Sequence, residues 1–139
     1  MVGEANKQRV LDYFDALVRD DFERIAELFA DDVTWWMPRT AERFGMPVPS
    51  VGIETFLRLQ RQGLDEIYHP QRWTTHTMVA EGDSVAVLTT LEALTPGGAP
   101  YRNDYLFLFE FAGDKISAFW EFVDTAYVHE FLASAASPD

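Results

Sequence analysis

Residues 101–124 read YRNDYLFLFEFAGDKISAFWEFVD. From Tyr101 to Phe111 the residues alternate, so an extended chain carries Tyr105, Phe107, Phe109 and Phe111 on one side and Leu106 and Leu108 on the other. Ala112-Gly113-Asp114 is a tight turn, after which Lys115 to Asp124 returns as an antiparallel neighbour. A strand that is apolar on both faces needs cover on both. Helices can bury one face. A second copy of the chain is the simplest cover for the other, so a homodimer formed through the convex sheet face is expected.

Upstream, Trp73 to Ala80 and Val85 to Leu94 are again rich in β-branched and aromatic residues. The turns Glu81-Gly82-Asp83 and Thr95-Pro96-Gly97-Gly98 join the four segments into a meander. Before residue 70 the period is helical. Val10, Tyr13, Phe14, Leu17 and Val18 form the apolar stripe of a helix from about Glu4 to Arg19. Asp20-Asp21 can cap a second short helix bearing Phe22, Ile25, Ala26, Leu28 and Phe29, which Asp31-Asp32 ends before a strand from Val33 to Met37. Pro38, Gly45, Pro47 and Pro49 mark a loop long enough to act as a lid. A third helix opens near Ser50, carries Ile53, Phe56, Leu57 and Leu59, and stops near Gly63. Thr125 caps a last helix with Val128, Phe131 and Leu132 on one side. Helices first and an antiparallel sheet after make one α+β domain over residues 1–139.

Composition limits the partners. The 11 Lys+Arg against 23 Asp+Glu give a net charge of −12, which repels nucleic acid and anionic membrane surfaces. The absence of Cys removes thiol catalysis and thiolate metal sites and fits a reducing compartment. With no signal-like N-terminus and no long apolar run, a soluble cytoplasmic protein is expected. No histidine pair has metal-ligand spacing, and there is no nucleotide-binding glycine motif, so neither metal nor cofactor is expected.

The opening Tyr13, Ala16-Leu17, Asp20-Asp21, Ile25 and Leu28 to Thr34, with Gly52-Ile53, resembles the start of SnoaL-like and ketosteroid-isomerase-like proteins. Tyr101-Arg102-Asn103-Asp104-Tyr105, Asp114-Lys115-Ile116 and Glu121-Phe122-Val123-Asp124-Thr125 are similar to later motifs of that superfamily. The resemblance implies a cone-shaped NTF2-like α+β barrel, usually dimeric, with a bent sheet enclosing one deep apolar pocket. That scaffold hosts isomerases, dehydratases, epoxide hydrolases, polyketide cyclases and non-catalytic binders, so it licenses no single reaction.

Five residues are candidates for chemistry. Asp124 ends an aromatic strand and matches the catalytic aspartate of SnoaL-type cyclases; it is expected to project into a dry hollow and shuttle a proton, the alternative being a helix cap. Tyr13 resembles the oxyanion-hole tyrosine of ketosteroid isomerases, and Asp104 matches the second donor there. Glu92 enters the pocket beside Asp124 if its strand face is concave, and is solvated or in the dimer contact if convex. His76, mid-strand, is a possible general base. His69 and His129 read as surface residues. Trp36, Phe56, Trp73, Asn103, Trp120 and Phe122 are expected to bind substrate. Two departures limit the transfer. The isomerase's general base falls on Met37, which cannot abstract a proton, and the epoxide-hydrolase Arg and Asp fall on Thr90 and Glu92. The expected activity is cofactor-independent isomerase, lyase or cyclase chemistry on a small hydrophobic carbonyl compound; the alternatives are a binder of such a molecule and an accessory subunit with a filled pocket.

Overall fold

The stripe of the first helix does what its spacing predicts. In α1 (Val2–Val18), Val10, Tyr13, Phe14 and Leu17 are buried, while Val18 in the last turn is exposed. Asp21 caps α2 (Phe22–Leu28), its carboxylate accepting the Arg24 N–H at 3.0 Å. That helix ends one residue sooner than the apolar spacing predicts. Phe29 is already extended and begins β1 (Phe29–Trp36), because it pairs with Ile116 while its ring enters the core. The computed structural model describes residues 2–66 and 70–136, so His69 lies outside the described residues.

The remaining elements are β2 (Ser50–Val51), α3 (Ile53–Glu66), β3 (Gln71–Glu81), β4 (Ser84–Leu94), β5 (Pro100–Ala112), β6 (Lys115–Val123) and α4 (Thr125–Ala136). Ser50 pairs with Trp35 instead of opening a helix, and α3 runs through Gly63. Part of the Pro38–Pro49 loop is a 3-10 turn, Arg39–Phe44. The six strands form one sheet in the order β2-β1-β6-β5-β4-β3. All pairs are antiparallel except β1–β6, whose parallel pairing is spanned by the long intervening chain. Gly82 and Gly113, with φ of 57° and 63°, each open a two-residue hairpin turn that an L side chain would strain.

Helices cover one face of this sheet. Tyr13 and Phe14 of α1 and Phe56 of α3 meet Phe29, Phe107, Phe109 and Phe119 in a continuous aromatic core. Along β5 the alternation is as expected: Tyr105, Phe107, Phe109 and Phe111 are buried, and Leu106 and Leu108 are exposed.

Two bulges break the pairing, and both bear on the site. On leaving the β5–β6 turn, Ala112 pairs with Lys115 and Phe111 with Ile116; from there Glu110 pairs with Ala118 and Phe107 with Glu121. Ser117 is the extra residue, and its hydroxyl donates to the Glu110 carbonyl at 3.2 Å. A one-residue shift exchanges the two faces of everything that follows. Phe119 and Glu121 therefore share the inward side with Phe109 and Phe107, and Trp120 and Phe122 pair with the outward Leu108 and Leu106. The second bulge lies between Thr75 and Thr77 and sets His76 on the outer surface.

Candidate active site

Between the helices and the concave sheet lies a cavity of about 360 Å³, a volume suited to a small organic molecule. Tyr13 and Leu17 of α1, Trp35 of β1, Leu59 and Gln60 of α3, Trp73 of β3 and Glu121 of β6 contribute to its wall. Phe44 from the 3-10 turn and His129 from α4 flank its mouth, their rings 5.6 Å apart. No Lys or Arg lines it among the described residues. Its surface is apolar apart from a few polar groups.

The most consequential of these groups is Glu121. Burial disfavours its charge and raises its pKa from 4.5 to about 7, so both protonation states are populated near neutrality. The Trp35 indole N–H lies near enough to favour the charged form in part, without forming a hydrogen bond of good geometry. Tyr13 is held well above the ordinary phenol range, first by burial and then by the negative charge of Glu121, so its hydroxyl stays protonated. It donates to Gln60 Oε1 at 3.2 Å. Whichever way that amide is turned, their mutual bond leaves two of the three donor hydrogens over, both from the amide or one each from the amide and the phenol.

Of the residues singled out in the sequence, Tyr13 and Trp73 line the cavity. Asp124 does not project into it: the residue is exposed, and its carboxylate accepts the Tyr127 N–H at 3.2 Å as the cap of α4. Glu92 lies on the convex face, paired with Arg72 and, at 3.6 Å, with Arg102. His76 and Asp104 are also outside, brought together through Thr90, which donates to Asp104 at 2.6 Å and contacts His76 Nε2 at 2.7 Å. Trp36 and Trp120 stack on the outer face with parallel rings, and Phe122 is 58% exposed beside them. Asn103 points inward but braces the chain, donating to the Tyr101 hydroxyl and the Asp124 carbonyl. Phe56 is fully buried beneath the wall, against Phe29, Trp35 and Phe119. His129, expected on the surface, is exposed but borders the mouth.

The family profile described as a SnoaL-like domain matches residues 10–119. The chain belongs to the SnoaL-like domain family. Its architecture is shared with a protein provisionally named an isomerase from Bacillus subtilis, 17% identical over 96% of each chain with a TM-score of 0.84. An NTF2-like protein of unknown function from Burkholderia pseudomallei is 20% identical over 91% of this chain and 95% of that one, TM-score 0.81. A proposed SnoaL-like polyketide cyclase from Jannaschia sp. is 19% identical over 99% and 96%, TM-score 0.79. At these identities the likeness is one of fold. No curated protein matches the sequence significantly.

In this SnoaL-like chain the position aligned with the isomerase base, Met37, is buried and lines the cavity, while a carboxyl enters from β6 instead. Glu121 and Gln60 were not singled out by sequence reasoning. Glu121 has one legible signal, a lone carboxylate inside the aromatic run Phe119-Trp120-Glu121-Phe122, but strict alternation from the turn turns it outward and Asp124 inward. Among the described residues no group of three His, Asp or Glu could hold a metal, and no helix is long and apolar enough to cross a membrane.

Proposed function

We propose that this protein is a cofactor-independent isomerase, lyase or cyclase that moves a proton next to the carbonyl of a small, uncharged, hydrophobic substrate. The observation that carries this is Glu121, a carboxyl in an apolar cavity with a pKa raised to about 7. As carboxylate it takes a proton from the carbon beside the carbonyl, leaving an enolate. As neutral acid it returns the proton to the same or a conjugated carbon. The Tyr13–Gln60 pair supplies a hydrogen bond to the oxygen that gains charge. A wall without Lys or Arg among the described residues, facing a carboxyl, disfavours an anionic substrate. Family membership and the isomerase and cyclase names carried by structural neighbours are consistent with this chemistry.

The test is incorporation of solvent deuterium into β-tetralone, an uncharged bicyclic ketone with acidic C–H bonds. The parent protein is expected to accelerate exchange, with a rate that rises with pH through about 7 as Glu121 ionises. Glu121→Gln should lose at least about a hundredfold, the usual contribution of a positioned base. A Glu121→Gln protein that exchanges as fast as the parent overturns the assignment. One observation favours a second reading, a non-catalytic binder: the Tyr13 hydroxyl is already engaged by Gln60. Tight β-tetralone binding without exchange would select it.

The oligomer is a separate proposal. Trp36, Leu88, Leu106, Leu108 and Phe122 are all exposed on the convex face, and a second copy packed there would bury them.

A further inference from the structure

Trp35 sits in β1 opposite Phe119 of β6, and its ring is held on two sides. It stacks on Phe119 at 5.7 Å and 12° and meets Phe56 edge-on at 5.8 Å and 85°. Only 7% of the residue is exposed, and that surface borders the cavity. Its indole nitrogen is buried and makes no hydrogen bond of good geometry among the described residues, although it lies near the Glu121 carboxyl and favours its charged form in part. The other indole in the cavity wall is satisfied, since Trp73 Nε1 donates to Gln71 at 2.9 Å. Buried donors are nearly always paired, so an unpaired one calls for an explanation. Packing does not supply it, because a phenylalanine would retain aromatic contacts with Phe119 and Phe56 and bring no N–H to be left unpaired.

We propose that the Trp35 indole N–H is a substrate-binding group, donating to the ligand oxygen that lies beside Glu121. The inference rests on the reading of the cavity as the substrate site. Phe119 and Glu121 lie two residues apart on the inward side of β6, so the indole stacked on Phe119 is carried next to the carboxyl. An indole nitrogen donates and cannot accept. It therefore selects an acceptor oxygen, as in a carbonyl, an enolate or a phenol, and gives no hold on an ammonium group. Together with the Tyr13–Gln60 pair it offers a second donor to the oxygen, and two fixed donors stabilise a developing enolate better than one.

The test compares β-naphthol, an aromatic counterpart of the β-tetralone enol, with naphthalene, which has the same rings and no oxygen. The chain has four tryptophans, and the indole proton of Trp35 is assigned in the nitrogen-15 spectrum of the parent by its through-space contacts with the Phe119 and Phe56 rings. In the parent, β-naphthol should move this signal further downfield than naphthalene does. Trp35→Phe should weaken β-naphthol about tenfold, the size of one net hydrogen bond, and leave naphthalene within about twofold. Equal shifts with the two compounds overturn the proposal, and so does equal weakening of both or of neither. The shift comparison needs only the parent, so it decides the matter even if the variant folds poorly. If neither compound binds the parent, the cavity reading and this proposal fall together. If β-tetralone exchange depends on Glu121 while the Trp35 signal ignores the oxygen, only this proposal falls.

Discussion

Glu121 illustrates how far one side chain's chemistry depends on its surroundings. Both its sequence neighbours, Trp120 and Phe122, face outward, so the carboxyl is flanked instead by Trp35, Tyr13 and the cavity. The folded protein holds a proton there between pH 4.5 and about 7 that the unfolded chain releases. The folded state binds the extra proton, so stability falls as pH rises through that window, and the loss is complete above about 7. Glu121→Gln should therefore gain roughly 2 kcal/mol over the parent at about pH 8 and almost nothing at about pH 4, read from urea unfolding midpoints. The figure is below the full value of the shift because the carboxyl borders a cavity that admits water. A gain of equal size at both pH values would mean that the carboxyl is not the titrating group.

Among the elements, β6 and α4 decide the site between them. Counting alternately from the Gly113 turn places Trp120, Phe122 and Asp124 inward, which is the expectation the sequence supports. Ser117 reverses that order, and an isolated serine in a strand carries no periodic signal that it will bulge. Asp124 consequently falls at the start of α4, where its carboxylate meets a free backbone N–H. Asp124→Ala should cost about 1 kcal/mol of stability, and Asp124→Asn much less, since asparagine caps a helix nearly as well. Neither should change β-tetralone exchange beyond about twofold, the scale of a remote surface change. Urea denaturation together with the exchange rate checks both points, and a large loss of exchange with unchanged stability would return Asp124 to the site.

At the scale of the whole molecule, the sheet divides two kinds of apolar surface. The concave side closes on α1 and α3 around Phe119, which is fully buried against the rings of Tyr13, Phe29, Trp35, Phe56 and Phe109. The convex side leaves Leu106 at 48% and Phe122 at 58% exposure, paired across β5 and β6. If a second copy covers that side, sedimentation should report twice the chain mass of 15.9 kDa. Leu106→Glu with Phe122→Glu should then give a folded monomer, because neither side chain contributes to the buried core. A monomeric parent would remove the homodimer from consideration.

The helices and the five longer strands, their order along the chain, the alternation along β5 and the family were legible in the sequence, because each is written in local periodicity, turn residues or short motifs. Tyr13 was legible too, since a helix stripe has no register to lose. Partnerships across the sheet were not: the joining of His76, Thr90 and Asp104, the escape of Glu92 to Arg72 and Arg102, and the approach of Trp35 to Glu121 arise between distant segments. The tertiary structure decided which carboxyl faces the cavity. A side chain's face depends on pairing register, and one bulged residue resets that register for the rest of its strand.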